Sequence, residues 1–180
     1  ISQVLQLKLK SRIKYLRMIQ NLKSSTEKNI ILLKKRALYY LGKREYSRLE
    51  LHKKIKAFAQ ELELETQDIK ALLNDLEGNA WLSDQRFTEQ FILSKKNKYG
   101  VEKIRYELKV RGVADTIINT ELVKIKTENY SLAKKIWAKK FDGAPKSLEE
   151  RNKQIRFLQG RGIDIELIHQ ILSGKSFEQL

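Results

Sequence analysis

From about residue 30 onward, apolar residues recur at spacings of three and four, which is the helical period. Leu38 with Leu41, the group Ile69, Leu72, Leu73 and Leu76, Phe87 with Phe91, Ile104 with Leu108, and Ile117, Ile118 and Leu122 all fit it. Glycines sit between the periodic stretches, at Gly42, Gly78, Gly100, Gly112, Gly143, Gly162 and Gly174. Such punctuation predicts helix C-terminal caps, where the chain turns left-handed. Candidate N-caps are Ser47 with Glu50 three residues later, Ser83, Asp115, and Ser147 with Glu150. The lone proline, Pro145, lies between periodic stretches. These signals predict an all-helical body. The N-terminus follows another rule. Leu5, Leu7 and Leu9 alternate with Gln6, Lys8 and Lys10, a period of two that predicts a short strand, the remnant of a small module. Helix is the alternative there, because Ile13, Leu16 and Ile19 follow at helical spacing. A first residue of Ile1 rather than Met implies further residues upstream.

Comparing the chain with itself exposes an internal repeat. A shift of 50 residues places Phe87 on Trp137, Phe91 on Phe141, Leu108 on Leu158, Arg111-Gly112-Val113 on Arg161-Gly162-Ile163, and Ile117-Ile118 on Leu167-Ile168. A weaker third copy puts Ala37 and Leu41 in the places of the aromatic pair and reaches Ile55 in the place of Leu108. Each copy reads as three helices. The two aromatics of a copy lie one turn apart, so both rings face the same core. Helical repeats of this size stack into an elongated, curved array that offers a long surface for another macromolecule.

Composition narrows the chemistry. The 180 residues contain no cysteine, which excludes disulfides, thiolate metal sites and a thiol nucleophile. The longest aliphatic run, Ile30 to Leu33, is far too short to span a membrane, and no secretory leader is visible. The expected protein is soluble and resides in a reducing compartment, the cytoplasm. Net charge is +15. Residues 1–36 hold ten Lys or Arg and one acid, a net +9. A balance of this kind attracts polyanions by counterion release. Lysines that merely solubilise a helical protein are the alternative. The interval Glu61–Glu77, with six acids and one lysine, breaks the basic background and fits a protein partner as well as DNA.

Catalytic constellations are not evident. Glu149 and Glu150 read as solvent-facing charges, since no histidine or metal-ligand spacing accompanies them. His52 and His169 fall in different repeats, and no third ligand is apparent for a shared metal. Gly160-Arg161-Gly162 lacks the further glycine and preceding strand of a phosphate loop. Trp81, Trp137, Phe87, Phe91, Phe141 and Phe157 have core spacing, with base stacking the less favoured use. The chain therefore reads as a non-enzyme without cofactor or metal. Its basic residues are more suggestive, because guanidinium groups bond carboxylate or phosphate in bidentate fashion. Arg105 and Arg111 flank the end of one middle helix, and Arg156 and Arg161 flank the next. Capping of helix carbonyls is the competing role for Arg111 and Arg161.

Several strings resemble the RecX family, regulators of the bacterial recombinase RecA. They are Ala37-Leu38-Tyr39-Tyr40-Leu41 through Arg44-Glu45-Tyr46-Ser47-Arg48-Leu49-Glu50-Leu51; Trp81-Leu82-Ser83-Asp84-Gln85-Arg86-Phe87; Tyr99-Gly100; Ile104-Arg105-Tyr106-Glu107-Leu108 with Arg111-Gly112-Val113; Lys140-Phe141; and Arg156-Phe157-Leu158-Gln159-Gly160-Arg161-Gly162-Ile163. Together they span about residues 37 to 172, in order. The resemblance implies tandem three-helix repeats lying in the groove of a RecA–DNA filament. It also implies regulation, usually inhibition, of the filament's ATPase, strand exchange and coprotease activity. Gly160 departs from the longer polar residue that the family more often carries, and the basic first 30 residues match poorly.

The resulting expectation is an all-α, elongated and curved array of tandem three-helix repeats behind a poorly defined basic N-terminal segment. Its bounds are 1–30 for that segment, then 31–80, 81–127 and 128–180 for the three repeats. The expected partner is the RecA nucleoprotein filament, with single- or double-stranded DNA as a direct ligand and the protein acting as a monomer. Arg44, Arg48, Lys96, Lys98, Arg105, Arg111, Lys139, Lys140, Arg156 and Arg161 are the candidate contacts. A general DNA-binding helical protein acting without RecA is the alternative.

Overall fold

The computed structural model describes residues 25–125 and 128–173. Among them are nine α-helices and no strand: α1 (Ser25–Leu41), α2 (Arg48–Glu61), α3 (Thr66–Gly78), α4 (Asp84–Lys95), α5 (Val101–Val110), α6 (Asp115–Lys124), α7 (Asn129–Ala138), α8 (Leu148–Gly160) and α9 (Ile165–Ser173). The strand expected around Leu5 to Leu9 lies outside the described residues. The chain divides into two compact units. Of the described residues, 25–44 and 50–82 form one, while 45–49 and 83–173 form the other.

In the first unit, α1 buries Leu33 and Ala37, and α3 buries Ile69, Leu72, Leu73 and Leu76 at the expected spacing. The two helices touch, and Lys34 of α1 meets Asp75 of α3 at 2.6 Å. Leu51, Ile55 and Ala59 are the buried positions of α2. The second unit holds two core clusters. Phe87, Ile92, Ile104, Leu108, Val113, Ile118, Leu122 and Ile125 form one; Ala133, Ile136, Leu158, Ile163, Leu167, Ile168, Ile171 and Leu172 form the other. Each fully buried aliphatic side chain contributes about 1.5–3 kcal/mol, set against the entropy of ordering it. Phe87 and Phe91 share a core, with ring centroids 5.8 Å apart. Phe141 instead meets Phe157 edge-on at 5.3 Å. Trp137 donates its indole N–H to the buried Gln154 at 2.7 Å, whose amide in turn donates to the Gly143 carbonyl.

Three turns share one conformation. After α2, α5 and α8 the chain passes through Leu62-Glu63-Leu64, Arg111-Gly112-Val113 and Arg161-Gly162-Ile163, with left-handed φ of 55°, 77° and 76° at the central residue. In each, the last residue's N–H reaches back five residues, from Leu64 to Ala59, Val113 to Leu108 and Ile163 to Leu158, at 2.9–3.2 Å. This pattern is the Schellman closure of a helix. It corrects the register of the first copy: Ala59, not Ile55, stands in the place of Leu108. The physical reason is one extra helical turn, since α2 has 14 residues and α5 has 10.

Glycine is needed in two of these turns for a second reason. A Cβ on Gly112 would stand 2.8 Å from the Leu49 Cβ, and one on Gly162 would stand 2.4 Å from the Lys103 backbone nitrogen. The Gly162 turn docks on the start of α5, and the Gly112 turn meets residues 47–49 of its own unit. The Ser47 hydroxyl donates to the Arg111 carbonyl at 2.7 Å. The Gly100 N–H donates to the Arg161 carbonyl at 2.8 Å, and the Glu102 N–H to Gly162 at 3.2 Å. In the first unit the corresponding carbonyl, Leu62, receives the Asn29 amide at 2.9 Å, and the central residue carries an exposed side chain, Glu63. Glu63 thus bears the left-handed strain without the crowding. Glu63→Gly is expected to raise stability by about 1 kcal/mol in urea unfolding; a fall would show that the glutamate contributes something the turn geometry does not reveal.

The caps differ in part from expectation. Ser83 and Ser147 accept the N–H of Arg86 and Glu150, as N-caps do. Ser47 directly precedes α2, and its hydroxyl donates to the Arg111 carbonyl, which leaves its oxygen able to accept a helix N–H. Asp115 is the first residue of α6, following Ala114 at the cap, and pairs with Lys109 at 2.8 Å. Asp84 accepts the Arg48 N–H at 2.7 Å. Burial pushes its carboxyl above the usual range, against the opposing pull of that N–H and of the Arg48 charge.

Candidate polyanion-binding groove

Four of the candidate side chains come together inside the second unit. The segment following α4, the end of α7 and the Arg161 turn enclose an open groove of about 370 Å³, lined by Asn97, Lys98, Ile136, Lys139, Lys140, Phe157 and Arg161. Ile136 and Phe157 belong to the apolar packing and supply the floor. The ammonium groups of Lys98, Lys139 and Lys140 are carried on exposed residues. No acid is part of the lining.

Local folding explains why these charges converge. Lys139 caps the C-terminus of α7, where a cation complements the helix dipole. Arg161 caps α8, and its carbonyl is held by Gly100. Its guanidinium donates to the Lys98 carbonyl at 3.3 Å and lies over Tyr99 and Phe157, 5.7 and 5.1 Å from their ring centres. Phe157 is braced in turn by Phe141. The Lys139 ammonium approaches the Asn97 carbonyl at 3.5 Å. An anion entering the groove would meet a charge fixed by stacking and three ammonium groups on flexible stems, an arrangement that suits phosphate or carboxylate oxygens.

The remaining candidates lie elsewhere. Lys96 pairs with Glu128 at 3.1 Å, and Arg44 pairs with Glu50 at 3.1 Å. Arg105 bonds Asn119 and lies 3.8 Å from Glu102. Arg48 opens α2, and Arg156 is exposed on α8. Arg111 follows the capping alternative: its guanidinium donates to the Glu107 carbonyl at 2.7 Å, meets the Glu107 carboxylate at 3.3 Å, and stacks over Phe91 at 4.7 Å. Arg111 and Arg161 therefore share a cap and a cation–aromatic contact, but only Arg161 borders the groove. Sequence reasoning missed Asn97 and the contribution of Phe157 to the floor. The repeat alignment offered a signal for the latter, because Phe157 directly precedes the matched Leu158.

The second and third helix triplets match models of known families. Residues 83–122 match the second three-helix domain of RecX, and residues 127–172 match the third. Curated proteins named Regulatory protein RecX align over most of the chain. The one from Ralstonia nicotianae is 34% identical over 142 residues, covering 79% of this chain and 87% of the relative. That from Herbaspirillum seropedicae is 38% identical over 140 residues, covering 78% and 88%. These relatives are named as regulatory proteins rather than enzymes. Among solved structures, RecX from Lactobacillus salivarius superposes with a TM-score of 0.69 at 19% identity, covering 81% of this chain and 96% of that one. A second structure, of a regulatory protein RecX, gives 0.70 at 20%, covering 82% and 75%. At these identities the structures establish a shared all-helical repeat fold. Among the described residues, no helix is long and apolar enough to cross a membrane.

Proposed function

The chain belongs to the RecX family of regulatory proteins, and from that premise we propose that it is an inhibitor of RecA that binds along the groove of the RecA–DNA filament. The observation carrying the proposal is the acid-free groove of Lys98, Lys139, Lys140 and Arg161. In this reading the groove takes carboxylates of the recombinase or phosphates of its DNA. Arg44, Arg48, Lys96, Arg105 and Arg156 add weaker contacts, while Arg111 keeps its capping role. A helical polymer repeats its binding surface, and tandem modules repeat theirs. Linked modules then engage as intramolecular events at high effective concentration, so individually weak contacts sum. Binding along the filament would oppose the rearrangements that accompany ATP hydrolysis, strand exchange and coprotease action.

The test is RecA ATP hydrolysis on single-stranded DNA with increasing amounts of this protein. A progressive fall is expected; an unchanged or rising rate would overturn the proposal. The net charge of +15 favours a second reading, a general DNA-binding protein. Salt titrations on single- and double-stranded DNA, with and without RecA, separate the two, because equal affinity in both settings is the signature of the second.

A further inference from the structure

Helix α1 carries a surface that the groove does not use. On its exposed side lie Lys28, Leu32, Lys35, Arg36 and Tyr39, continued by Lys43 just past the helix end. At 100° per residue these positions form one stripe, and 15 residues of helical rise extend it over about 22 Å. Four of the six are cations and none is an acid; Glu27 is the single acid of the helix. Lys34, by contrast, is engaged with Asp75. Between the cations, Leu32 and Tyr39 are 40% and 57% exposed. Aromatic rings accompany the charges: the Lys43 ammonium lies 4.3 Å from the Tyr39 ring centre, Arg36 lies over Tyr40 at 5.5 Å, and the two tyrosine rings meet edge-on at 5.9 Å. The hydrogen bond from Lys43 to the Tyr39 hydroxyl also holds that phenol below its ordinary pKa.

We propose that this stripe is a binding site for single-stranded nucleic acid, with the cations following the phosphates and Tyr39 stacking on a base. An acidic protein surface would use the cations but would gain little from an outward tyrosine. A duplex would offer its phosphates, but its base faces are already stacked within the helix. Unpaired strands present both groups together, alternating charged backbone with open π-faces. The site lies in the first unit and does not depend on the filament reading.

The experiment uses the full chain without RecA and measures fluorescence anisotropy of a labelled oligothymidylate of about 20 nucleotides and of a duplex of equal length. Tyr39→Ala is expected to weaken single-strand binding by about 5-fold or more and to leave duplex binding within about 2-fold. Tyr39→Phe keeps the π-face and is expected to stay near the parent. Replacing Lys35, Arg36 and Lys43 together with Gln is expected to flatten the salt dependence on the single strand by about two units. Unchanged single-strand binding by Tyr39→Ala, or equal losses on strand and duplex, would overturn the proposal. So would an unchanged salt slope in the triple variant, which keeps the test decisive if Tyr39→Ala loses its helical circular dichroism. Because RecA is absent, failure here leaves the ATPase prediction standing.

Discussion

Gly162→Ala is expected to lower unfolding free energy by about 3 kcal/mol and to open the groove as it does so. Two effects add. The residue holds φ of 76°, where a side chain costs about 1–2 kcal/mol. The new Cβ would also stand 2.4 Å from both the Lys103 backbone nitrogen and its Cβ. The nearest atoms include main chain at the start of α5, so relief requires separating that helix from the turn. Such a separation would break the Gly100 to Arg161 and Glu102 to Gly162 hydrogen bonds and carry Arg161 away from Lys98. Gly160→Ala, two residues earlier, is the internal control. A Cβ there meets nothing within 4 Å, and alanine in the last turn of α8 should add about 0.5–1 kcal/mol. Chemical unfolding of both variants measures the contrast. Equal responses at the two glycines would remove the docking argument.

The second large effect concerns charge. Replacing Lys98, Lys139 and Lys140 with Glu makes the groove net acidic while leaving Arg161, which has packing duties, in place. Affinity for the RecA–DNA filament is expected to fall by about 100-fold or more, because like charges brought together cost several kcal/mol. Inhibition of ATP hydrolysis should disappear at concentrations where the parent saturates, while circular dichroism stays unchanged. Lys53→Glu with Lys54→Glu, on exposed positions of α2, changes total charge without touching the groove and should cost far less. A folded groove variant that still inhibits fully would assign the contact to another surface.

Much of the helical framework was legible because its signals are local. The spacing of Ile69, Leu72, Leu73 and Leu76 reports a buried face directly, and all four are buried. Arg111-Gly112 and Arg161-Gly162 announced helix ends because a left-handed residue favours glycine. Glu63 breaks that rule and hides the third such turn, so the repeat spacing points to Ile55, a helical turn before Ala59. Ser47 has the sequence of an N-cap, and its hydroxyl also donates to a carbonyl 64 positions away, a contact that no neighbouring residue encodes. The same holds for Phe141, whose spacing from Trp137 suggested a shared core while its ring meets Phe157. The groove draws on residues 97–98, 136, 139–140, 157 and 161, brought together only by tertiary packing. Composition could count its cations but not gather them.

The Gly162 joint uses peptide groups on both sides, with the carbonyls of residues 161 and 162 accepting from the N–H groups of Gly100 and Glu102. With Gly100 and Gly162 letting the two backbones meet, the rest of the seam is main chain that any residue but proline supplies. Substitutions on the outer faces of α5 and α8 can therefore accumulate without shifting the seam, so binding preferences are free to drift while the interval between successive modules stays constant.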